Sequence, residues 1–377
     1  MSVQKVRGAE QLRTRLICAT LAGITMRVDN IREREESPGL RLHEASVLRL
    51  IEKVTNGCTV EINETGTRLK YKPGVVIGGS GLFHDCGTSR AIGYFVEPLI
   101  ILALFGKKAL SITLQGITND DKDSCVDTLR TTTLPLLKRF GVTTEGLELK
   151  ILKRGAPPLG GGEVLLKVPT VTKNLTAINW TDEGMVKRVR GVAYATRVSP
   201  QMANRMVDSA RGVLNRLLAD VYIFTDHYKG NESGKSPGYG LSLLAETTTG
   251  CLISAERAAV ASRDADAEPR NDERSGGGLV LPEDVGSQAA QQLLEEVKAG
   301  GVVDFTHQGL LLLLCALCPE DVSKVRLGRL SPNAIRTLRT IKEFLGVQFN
   351  IQAEPSTGTV MLSCVGSGCK NLSRKIT

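Results

Sequence analysis

The order of helical and strand patterns in the first 170 residues is the feature that most limits the fold of this chain. The pattern predicts helix 12–21, a strand from Ile24, helix 40–54 and a hairpin of TVEIN and TRLKYK. The same order then returns as helix 94–105, strand LSITLQG, helix 125–140 and strands LELKILK and EVLLKV. Two successive units of helix, strand, helix, strand and strand favour an internal duplication. The alternative is an ordinary α/β mixture with accidental periodicity.

A segment of different character follows these two units. Ser199-Pro200 is typical of a helix start, and strand-like DVYIFTD and LSLLAETT bracket the loop GNESGKSPGYG. Residues 263–278 are rich in charge and contain no aromatic ring, which predicts a solvated, disordered loop. A third series of helices and a strand begins at Pro282. The sequence therefore predicts two repeats in 1–184, an inserted α/β domain in 185–280 and a third repeat in 281–377.

The composition sets limits on the partners. With 41% hydrophobic and 23% charged residues, the chain is too apolar for disorder throughout its 377 residues. A net charge of +8 allows a polyanionic partner but does not identify one. One Trp, six Tyr and eight Phe argue against a protein that binds single strands by stacking bases on aromatic platforms.

Nine cysteines are spread through the chain without a framework of short spacings. The short, interrupted apolar stretch near residue 20 leads us to expect no secretory leader. We therefore expect a reduced, intracellular protein. The longest uncharged apolar run, 310–318, is well under the roughly 18 residues that span a bilayer, so no membrane is expected. Cys315 and Cys318 lie in this run and are predicted to be buried core thiols, not a zinc or redox site.

The strongest local motif is RGAPPLGGGEV, which begins at Arg154 and lies between two predicted strands. Gly160, Gly161 and Gly162 free the backbone to point N–H groups at a phosphate, with Arg154 beside them. A tight structural connection explains the same residues equally well.

Two further features suggest anions. The loop GNESGKS resembles a Walker phosphate loop but has three residues, not four, between its first Gly and the Gly-Lys pair. Pro237 also disfavours the helix that must follow such a loop. Lys235 is therefore predicted to lie on an anion-tolerant surface loop. The cations Lys187, Arg188, Arg190 and Arg197 are either an RNA contact or a solvated face. The four histidines have no metal-ligand spacing, and no conventional catalytic triad is indicated.

Several long motifs agree with one family. RGAPPLGGGEV, DNIREREESPGL, TGTRLKYKPGVVIGG, GVAYATRVSPQMANRMVDSAR and SGKSPGYGLSLLAE occur along nearly the whole chain. Together they resemble the RNA 3'-terminal phosphate cyclase family, most closely its eukaryotic, nucleolar, cyclase-like branch. The resemblance implies an α/β fold of three β-α-β-α-β-β repeats, as in enolpyruvate transferases, with a smaller α/β domain inserted after the second repeat.

The departures from the family pattern bear on activity. Cyclases use ATP to adenylylate a histidine and then convert an RNA 3'-phosphate to a cyclic phosphate. The position of that histidine falls on Asn333, whose amide nitrogen has no lone pair for attack on a phosphate. The family's metal-binding Glu falls on Val6, its second loop arginine on Glu35, and its Asp-Gln pair on His307-Gln308. We therefore expect no catalytic residue, no metal and no cofactor.

The resemblance implies a non-catalytic ribosome-biogenesis factor. It would act in the nucleolus, within the nucleus, in early 18S pre-rRNA processing and small-subunit assembly, as a scaffold bound to a ribosome-biogenesis GTPase. The predicted phosphate- or sulfate-binding residues are Arg13, Arg32, Arg154 and Gly160 to Gly162. Those predicted to contact pre-rRNA or a partner are Lys187, Arg188, Arg190, Arg197 and Lys235.

Two enzymatic alternatives remain open beside the scaffold. One is a pre-rRNA endonuclease that uses Arg336, Arg339 and Lys342 to stabilise a pentacoordinate phosphate. The other, less favoured, is an ATP-dependent RNA 3'-phosphate cyclase.

Overall fold

The computed structural model describes residues 3–259 and 279–371, so the predicted loop 263–278 lies outside the described residues. The first repeat forms a four-stranded sheet in the order β1-β2-β5-β4, with β1 parallel to β2 and a small β3–β6 pair beside it. Its elements are β1 Val3–Arg7, α1 Leu12–Ala22, β2 Thr25–Asp29, α2 Leu42–Val54, β3 Thr55–Asn56, β4 Thr59–Ile62, β5 Leu69–Lys72 and β6 Val75–Val76.

The second repeat has the same connectivity, and its sheet order is β7-β8-β10-β9. Its elements are β7 Gly79–Asp85, α3 Gly93–Leu104, β8 Leu110–Gly116, α4 Val126–Thr128, a π-helical turn Leu129–Thr133, α5 Leu134–Arg139, β9 Glu148–Lys153 and β10 Gly162–Val168. The predicted duplication is confirmed, because each sheet places its strands in the same chain order.

The third repeat begins with a short strand and is then interrupted. After β11 (Asn179–Trp180), the chain builds a separate four-stranded sheet in the order β13-β12-β14-β15. The inserted elements are β12 Val186–Thr196, α6 Gln201–Leu214, β13 Val221–Tyr228, a 3₁₀ turn Gly230–Glu232, β14 Gly238–Thr247, β15 Leu252–Ala258 and α7 Pro282–Ala299.

The chain then completes the third repeat, whose sheet order is β11-β16-β18-β17. Its remaining elements are α8 Gln308–Ala316, β16 Val322–Leu327, α9 Pro332–Leu345, β17 Asn350–Glu354 and β18 Thr359–Val365. All three repeats thus have the β-α-β-α-β-β plan.

The domain boundaries differ from those predicted. Because β11 pairs with β16, the insertion follows the first strand of the third repeat and does not fall between the second and third repeats. Helix α7, which the sequence assigned to the third repeat, buries Val285, Ala289 and Leu293 in the core of the inserted unit. The apolar face of α7 packs against the inserted sheet and α6. Helical periodicity shows that a helix has an apolar face, but not which element that face contacts.

Two hydrophobic cores hold the fold. The larger core lies among the three repeats and contains the almost wholly apolar helices α3 and α8, and the smaller core lies between the inserted sheet and helices α6 and α7. Cys315 and Cys318 are buried in the larger core as free thiols, as predicted. None of the described helices combines the length and the apolar character needed to cross a membrane.

Among the strands longer than two residues, the sequence patterns missed β1, β7, β12 and β15, and after Pro282 they predicted one strand where the structure has β16, β17 and β18. β1 and β7 are edge strands whose residues are mostly exposed or half-buried, so neither presents an apolar face. We call the three repeats together the main unit. β15, also at an edge, presents Ser254 and Glu256 to polar groups of this main unit, Asp304 and Thr128. An alternation of apolar and polar residues is the signal for a strand, and β1, β7 and β15 lack it.

Candidate anion-binding pocket

The N-terminal turns of five helices converge on one cavity of about 340 Å³. The helices are α1, α2, α3, α8 and α9, and the side chains that they contribute include Arg13, Glu44, Tyr94, Leu310, Asn333 and Arg336. The N–H groups of a helix's first turn have no partner within the helix, and its dipole is positive at that end. The convergence therefore favours an anion in the cavity.

Asn333 lies on the wall of this cavity, in the first turn of α9. Ser331 caps that helix, since its hydroxyl accepts a hydrogen bond from the Ala334 N–H at 3.1 Å, and Pro332 follows as the first helical residue. Gln11 Nε2 donates to Asn333 Oδ1 at 2.7 Å. Gly309 makes room for the amide, because a Cβ there would lie 2.9 Å from Asn333 Nδ2.

Two arginines flank the ring of Tyr94 on a second wall. The Cζ of Arg13 lies 4.1 Å and that of Arg90 4.5 Å from the ring centroid. Arg13 also pairs with Glu97 at 3.0 Å, and Arg90 Nε with Asp123 at 2.7 Å. Burial raises the pKa of Tyr94 to about 12, so the phenol stays neutral between the two cations.

Arg90 and Tyr94 were not predicted as site residues. The sequence carried one usable signal for them: both lie at the start of α3, and the repeat plan equates that helix end with the start of α1, where Arg13 lies.

Arg32 and Arg336 complete the positive lining. Arg32, in a left-handed backbone conformation at φ 47°, makes a two-pronged pair with Glu44 at 2.6 and 2.8 Å. Arg336 is exposed, and its nearest carboxylate, that of Glu10, lies 3.9 Å away. Arg336 is therefore the cavity arginine least committed to a protein partner.

Arg154 does not lie at an anion site, contrary to the sequence-based prediction. Its side chain is fully buried and donates to Asp127 at 2.6 and 2.8 Å, and to Asp226 at 2.8 Å. Burial alone would lower the pKa of Arg154, but the two carboxylates outweigh it and raise the pKa. The guanidinium joins the second repeat to the inserted sheet and has no free surface for a phosphate.

The glycine-rich loop also has a structural role in place of the predicted phosphate cradle. It meets the loop GNESGKS of the inserted unit, in a contact that we call the docking seam (residues 154–162 against 232–236). Gly234 N donates to Arg154 O at 2.5 Å, and Lys235 N to Gly160 O at 2.8 Å. A Cβ on Gly162 would lie 2.6 Å from the Gly155 N atom. The glycines are needed because two backbones approach each other, and the two loops that the sequence singled out separately are partners.

The predicted basic residues of the inserted unit lie outside the cavity. Lys187 and Arg188 share Glu246 at 2.7 and 2.5 Å, and Arg190 pairs with Asp220 at 2.7 Å. The other two lie at the docking seam: Arg197 donates to the Gly234 carbonyl, and Lys235 is exposed. The sequence grouped residues that the fold separates into a sheet face and a seam.

His307 and Gln308, at the start of α8, are buried and fully engaged. His307 Nδ1 lies 2.8 Å from Asp304 Oδ1, and Nε2 lies 2.8 Å from the hydroxyl of Thr133. Burial alone would lower the pKa of His307, but Asp304 outweighs it and raises the pKa. Gln308 accepts from the Ser331 N–H at 2.8 Å. Both residues hold elements together beside the cavity.

We expect Glu296 of α7 to give folding stability a pH dependence. Burial raises the pKa of Glu296 from 4.5 to about 7, although its carboxylate accepts from the Phe305 N–H. The folded state then binds more protons than the unfolded state between those values, so stability falls as the pH rises from about 4.5 to 7. Glu296→Gln should therefore stabilise the protein at pH 8 by about 1–2 kcal/mol, after discounting for partial exposure, and change little at pH 4.5.

Thermal unfolding at both pH values measures this effect. Glu295→Gln, one residue away and exposed, is the matched control and should be nearly neutral. Equal effects of Glu296→Gln at pH 4.5 and pH 8 would contradict the assignment.

The residues present do not fit the covalent nucleotide chemistry of cyclases. An amide at position 333 offers no nucleophilic lone pair. Val6, at the position of the family's metal-binding Glu, is an apolar side chain in β1 with 5% exposure. What the cavity retains is a set of arginines and helix N-termini, groups that favour an anion but supply no nucleophile.

Comparison with known proteins agrees with the repeat plan. The family model for RNA 3'-terminal phosphate cyclase matches residues 4–351. A probable RNA 3'-terminal phosphate cyclase-like protein of Arabidopsis thaliana is 55% identical over 375 residues, covering 100% of this chain and 99% of the relative. The RNA 3'-terminal phosphate cyclase-like protein of Homo sapiens is 50% identical, covering 98% and 97%. An rRNA processing protein of Schizosaccharomyces pombe is 44% identical, covering 99% and 98%.

These matches span the repeats and the insertion alike. The chain belongs to the RNA 3'-terminal phosphate cyclase family.

Proposed function

We propose that this protein is a non-catalytic factor in rRNA processing, acting in the nucleolus on the early maturation of 18S pre-rRNA. The observation that carries the proposal is Asn333 on the wall of the arginine-lined cavity. A full-length relative in Schizosaccharomyces pombe is named for rRNA processing, and the relatives in Arabidopsis thaliana and Homo sapiens are named cyclase-like. A protein that keeps the cyclase fold but lacks the nucleophilic histidine is consistent with the name cyclase-like and with a role in rRNA processing.

Depletion of the protein in cells tests the biological part of the proposal. Loss should reduce mature 18S rRNA and cause its early precursors to accumulate, while the large-subunit rRNA is spared. Re-expression of the wild-type chain should restore 18S rRNA, and an Asn333→Ala variant should restore it equally, because no chemistry depends on that side chain. Normal 18S levels after depletion would contradict the proposal.

In this proposal the cavity holds a phosphate group of RNA or another phosphate-like anion. Arg336 supports it most directly, because it is exposed to the cavity and only weakly paired. Arg336→Ala should weaken the binding of inorganic phosphate or sulfate, measured by isothermal titration calorimetry, about three- to tenfold, as expected for one charge-assisted contact.

Arg339→Ala is the matched control. Arg339 lies on the same helix and is exposed, but it does not line the cavity. If both variants weaken binding alike, the effect reports overall charge and not the cavity.

We further propose that the partner is a ribosome-biogenesis GTPase. The family resemblance supports this part, and purification of the tagged protein from cells tests it. A GTPase recovered in stoichiometric amount is the expected result, and its absence from a complex that retains small-subunit precursors would contradict it.

Direct cutting of pre-rRNA is the outcome that would replace the non-catalytic proposal. Arg339 and Lys342 lie on the exposed face of α9, outside the cavity that Arg336 lines. Within residues 3–259 and 279–371, no group of three His, Cys, Asp or Glu side chains is placed to hold a metal. Cleavage of a pre-rRNA fragment by the purified protein, lost in Arg339→Ala, would favour a nuclease.

A further inference from the structure

The inserted sheet presents two aromatic rings to solvent. Along β13, Val221 and Ile223 are buried against the helices, whereas Tyr222 is 57% and Phe224 54% exposed. Side chains alternate across a strand, so the two rings stand on the same face, about 7 Å apart along it. In the described part of the chain only Phe83 is a comparably exposed ring, and it lies on β7 of the second repeat.

Neither ring on β13 has a partner within the described residues. The ring pairs and the arginine–ring contacts of the structure involve other side chains, and the Tyr222 hydroxyl makes no hydrogen bond there. An aromatic face costs free energy when left in water. Two adjacent exposed rings, unpaired on one strand, are more than the scattered apolar residues of an ordinary surface and favour a binding site.

Cations flank the two rings on the neighbouring strand. The register of β12 and β13 places Arg190 beside Tyr222 and Val192 beside Phe224. Arg188 lies two residues from Arg190 and so on the same face, and Lys187 reaches the same carboxylate as Arg188. We call these five side chains, Lys187, Arg188, Arg190, Tyr222 and Phe224, the ring-and-arginine face.

The charge of this face is positive. Three cations share two carboxylates, those of Glu246 and Asp220. Exposed ion pairs of this kind contribute little to stability, so a phosphate can replace the carboxylate at small cost. The net excess of one cation makes that exchange favourable for a polyanion.

The same sheet face is covered elsewhere. Tyr194 and Asp226, further along the same two strands, contact Arg154 and are closed off by the main unit. The ring-and-arginine face is thus the part of the sheet that the main unit leaves open. A sheet surface that combines stackable rings with arginines is the arrangement by which proteins bind unpaired RNA bases.

We propose that the ring-and-arginine face binds single-stranded RNA, with Tyr222 and Phe224 each stacking on a base and the cations contacting phosphates. A protein partner is disfavoured because the rings are surrounded by charged side chains and not by the contiguous apolar area that a protein interface buries at its centre. The low aromatic content of the chain does not oppose this, because two rings at the right place suffice.

Fluorescence anisotropy with the full chain tests the proposal. The probe is a 5'-labelled ten-nucleotide single-stranded RNA with a 3'-hydroxyl, so that it carries no terminal phosphate for the arginine-lined cavity. At a fixed 100 mM salt, the double variant Tyr222→Ala/Phe224→Ala should bind at least tenfold more weakly. Tyr222→Phe should retain the wild-type affinity, since it keeps the stacking ring.

Phe83→Ala is the control, because that ring is equally exposed but lies on another unit; its affinity should be unchanged. Arg190→Ala should reduce the slope of log affinity against log salt concentration by about one, as expected for the loss of one phosphate contact. Unchanged affinity of the double variant, with the fold intact by circular dichroism, would overturn the proposal. The proposal would also be overturned if the double variant kept its RNA affinity but lost a protein that co-purifies with the wild type, because the face would then be a protein-docking surface. Either failure leaves the proposed role in rRNA processing standing.

Discussion

Arg154→Met is expected to destabilise the protein by about 3–5 kcal/mol, the cost of breaking a buried ion pair. The guanidinium is fully buried, and methionine of similar length leaves the carboxylate of Asp127 without its main partner at 1% exposure. Burial alone would raise the pKa of Asp127, but Arg154 outweighs it and holds the pKa low. Without Arg154, the folded state must keep an uncompensated charge or bind a proton.

Denaturant unfolding followed by circular dichroism measures this loss. Arg130→Ala is the matched control, because Arg130 also approaches Asp127, at 3.5 Å, but is 43% exposed. It should cost under about 1 kcal/mol. Adding Asp127→Asn to Arg154→Met should recover part of the loss, since the buried charge is then gone. A loss below about 1 kcal/mol for Arg154→Met would show that the guanidinium is not the link between the two units.

Gly234→Ala is the second large expected effect, a loss of about 3 kcal/mol from overpacking of the docking seam. A Cβ on Gly234 would lie 2.3 Å from Gly160 O and 2.8 Å from Arg154 O. Both atoms belong to backbone, which cannot rotate aside as a side chain does. The inserted unit must therefore move away from the second repeat, and limited proteolysis should cut the variant faster than the wild type.

Gly212→Ala is the control of opposite sign. Gly212 lies on the exposed face of α6, and a Cβ on it would meet no other atom within 4 Å. Alanine there should stabilise the protein by about 0.5–1 kcal/mol. If Gly234→Ala proves as harmless as Gly212→Ala, the close approach of the two loops is not required for the fold.

Periodicity predicted most helices and the paired strands of the first two repeats. It failed for β1, β7 and β15, because edge strands that are exposed or that face polar partners carry no apolar alternation. It placed α7 with the third repeat for a related reason: an amphipathic pattern indicates that a helix has a partner but not which one. The family resemblance supplied the first strand of each repeat.

The site was predicted in part. Of the predicted anion-binding residues, Arg13 and Arg32 line the cavity. Asn333, expected at the position of the lost histidine, and Arg336, predicted only as a nuclease residue, line it as well. Arg154 was assigned wrongly, because an arginine beside glycines fits a phosphate cradle and a buried clamp equally well. Only the position of Asp127 and Asp226, from distant parts of the chain, decides between them.

We propose that the cavity binds phosphate groups but forms no covalent nucleotide intermediate. Incubating the purified protein with ATP labelled on its α-phosphate, divalent metal and a 3'-phosphorylated RNA oligonucleotide tests it most directly, with an active cyclase as the positive control. We predict no label on the protein and an oligonucleotide whose 3'-phosphate stays uncyclised, because Asn333 lacks the lone pair that an imidazole supplies. Covalent label on the wild-type chain, or a cyclic end on the RNA, would contradict the account.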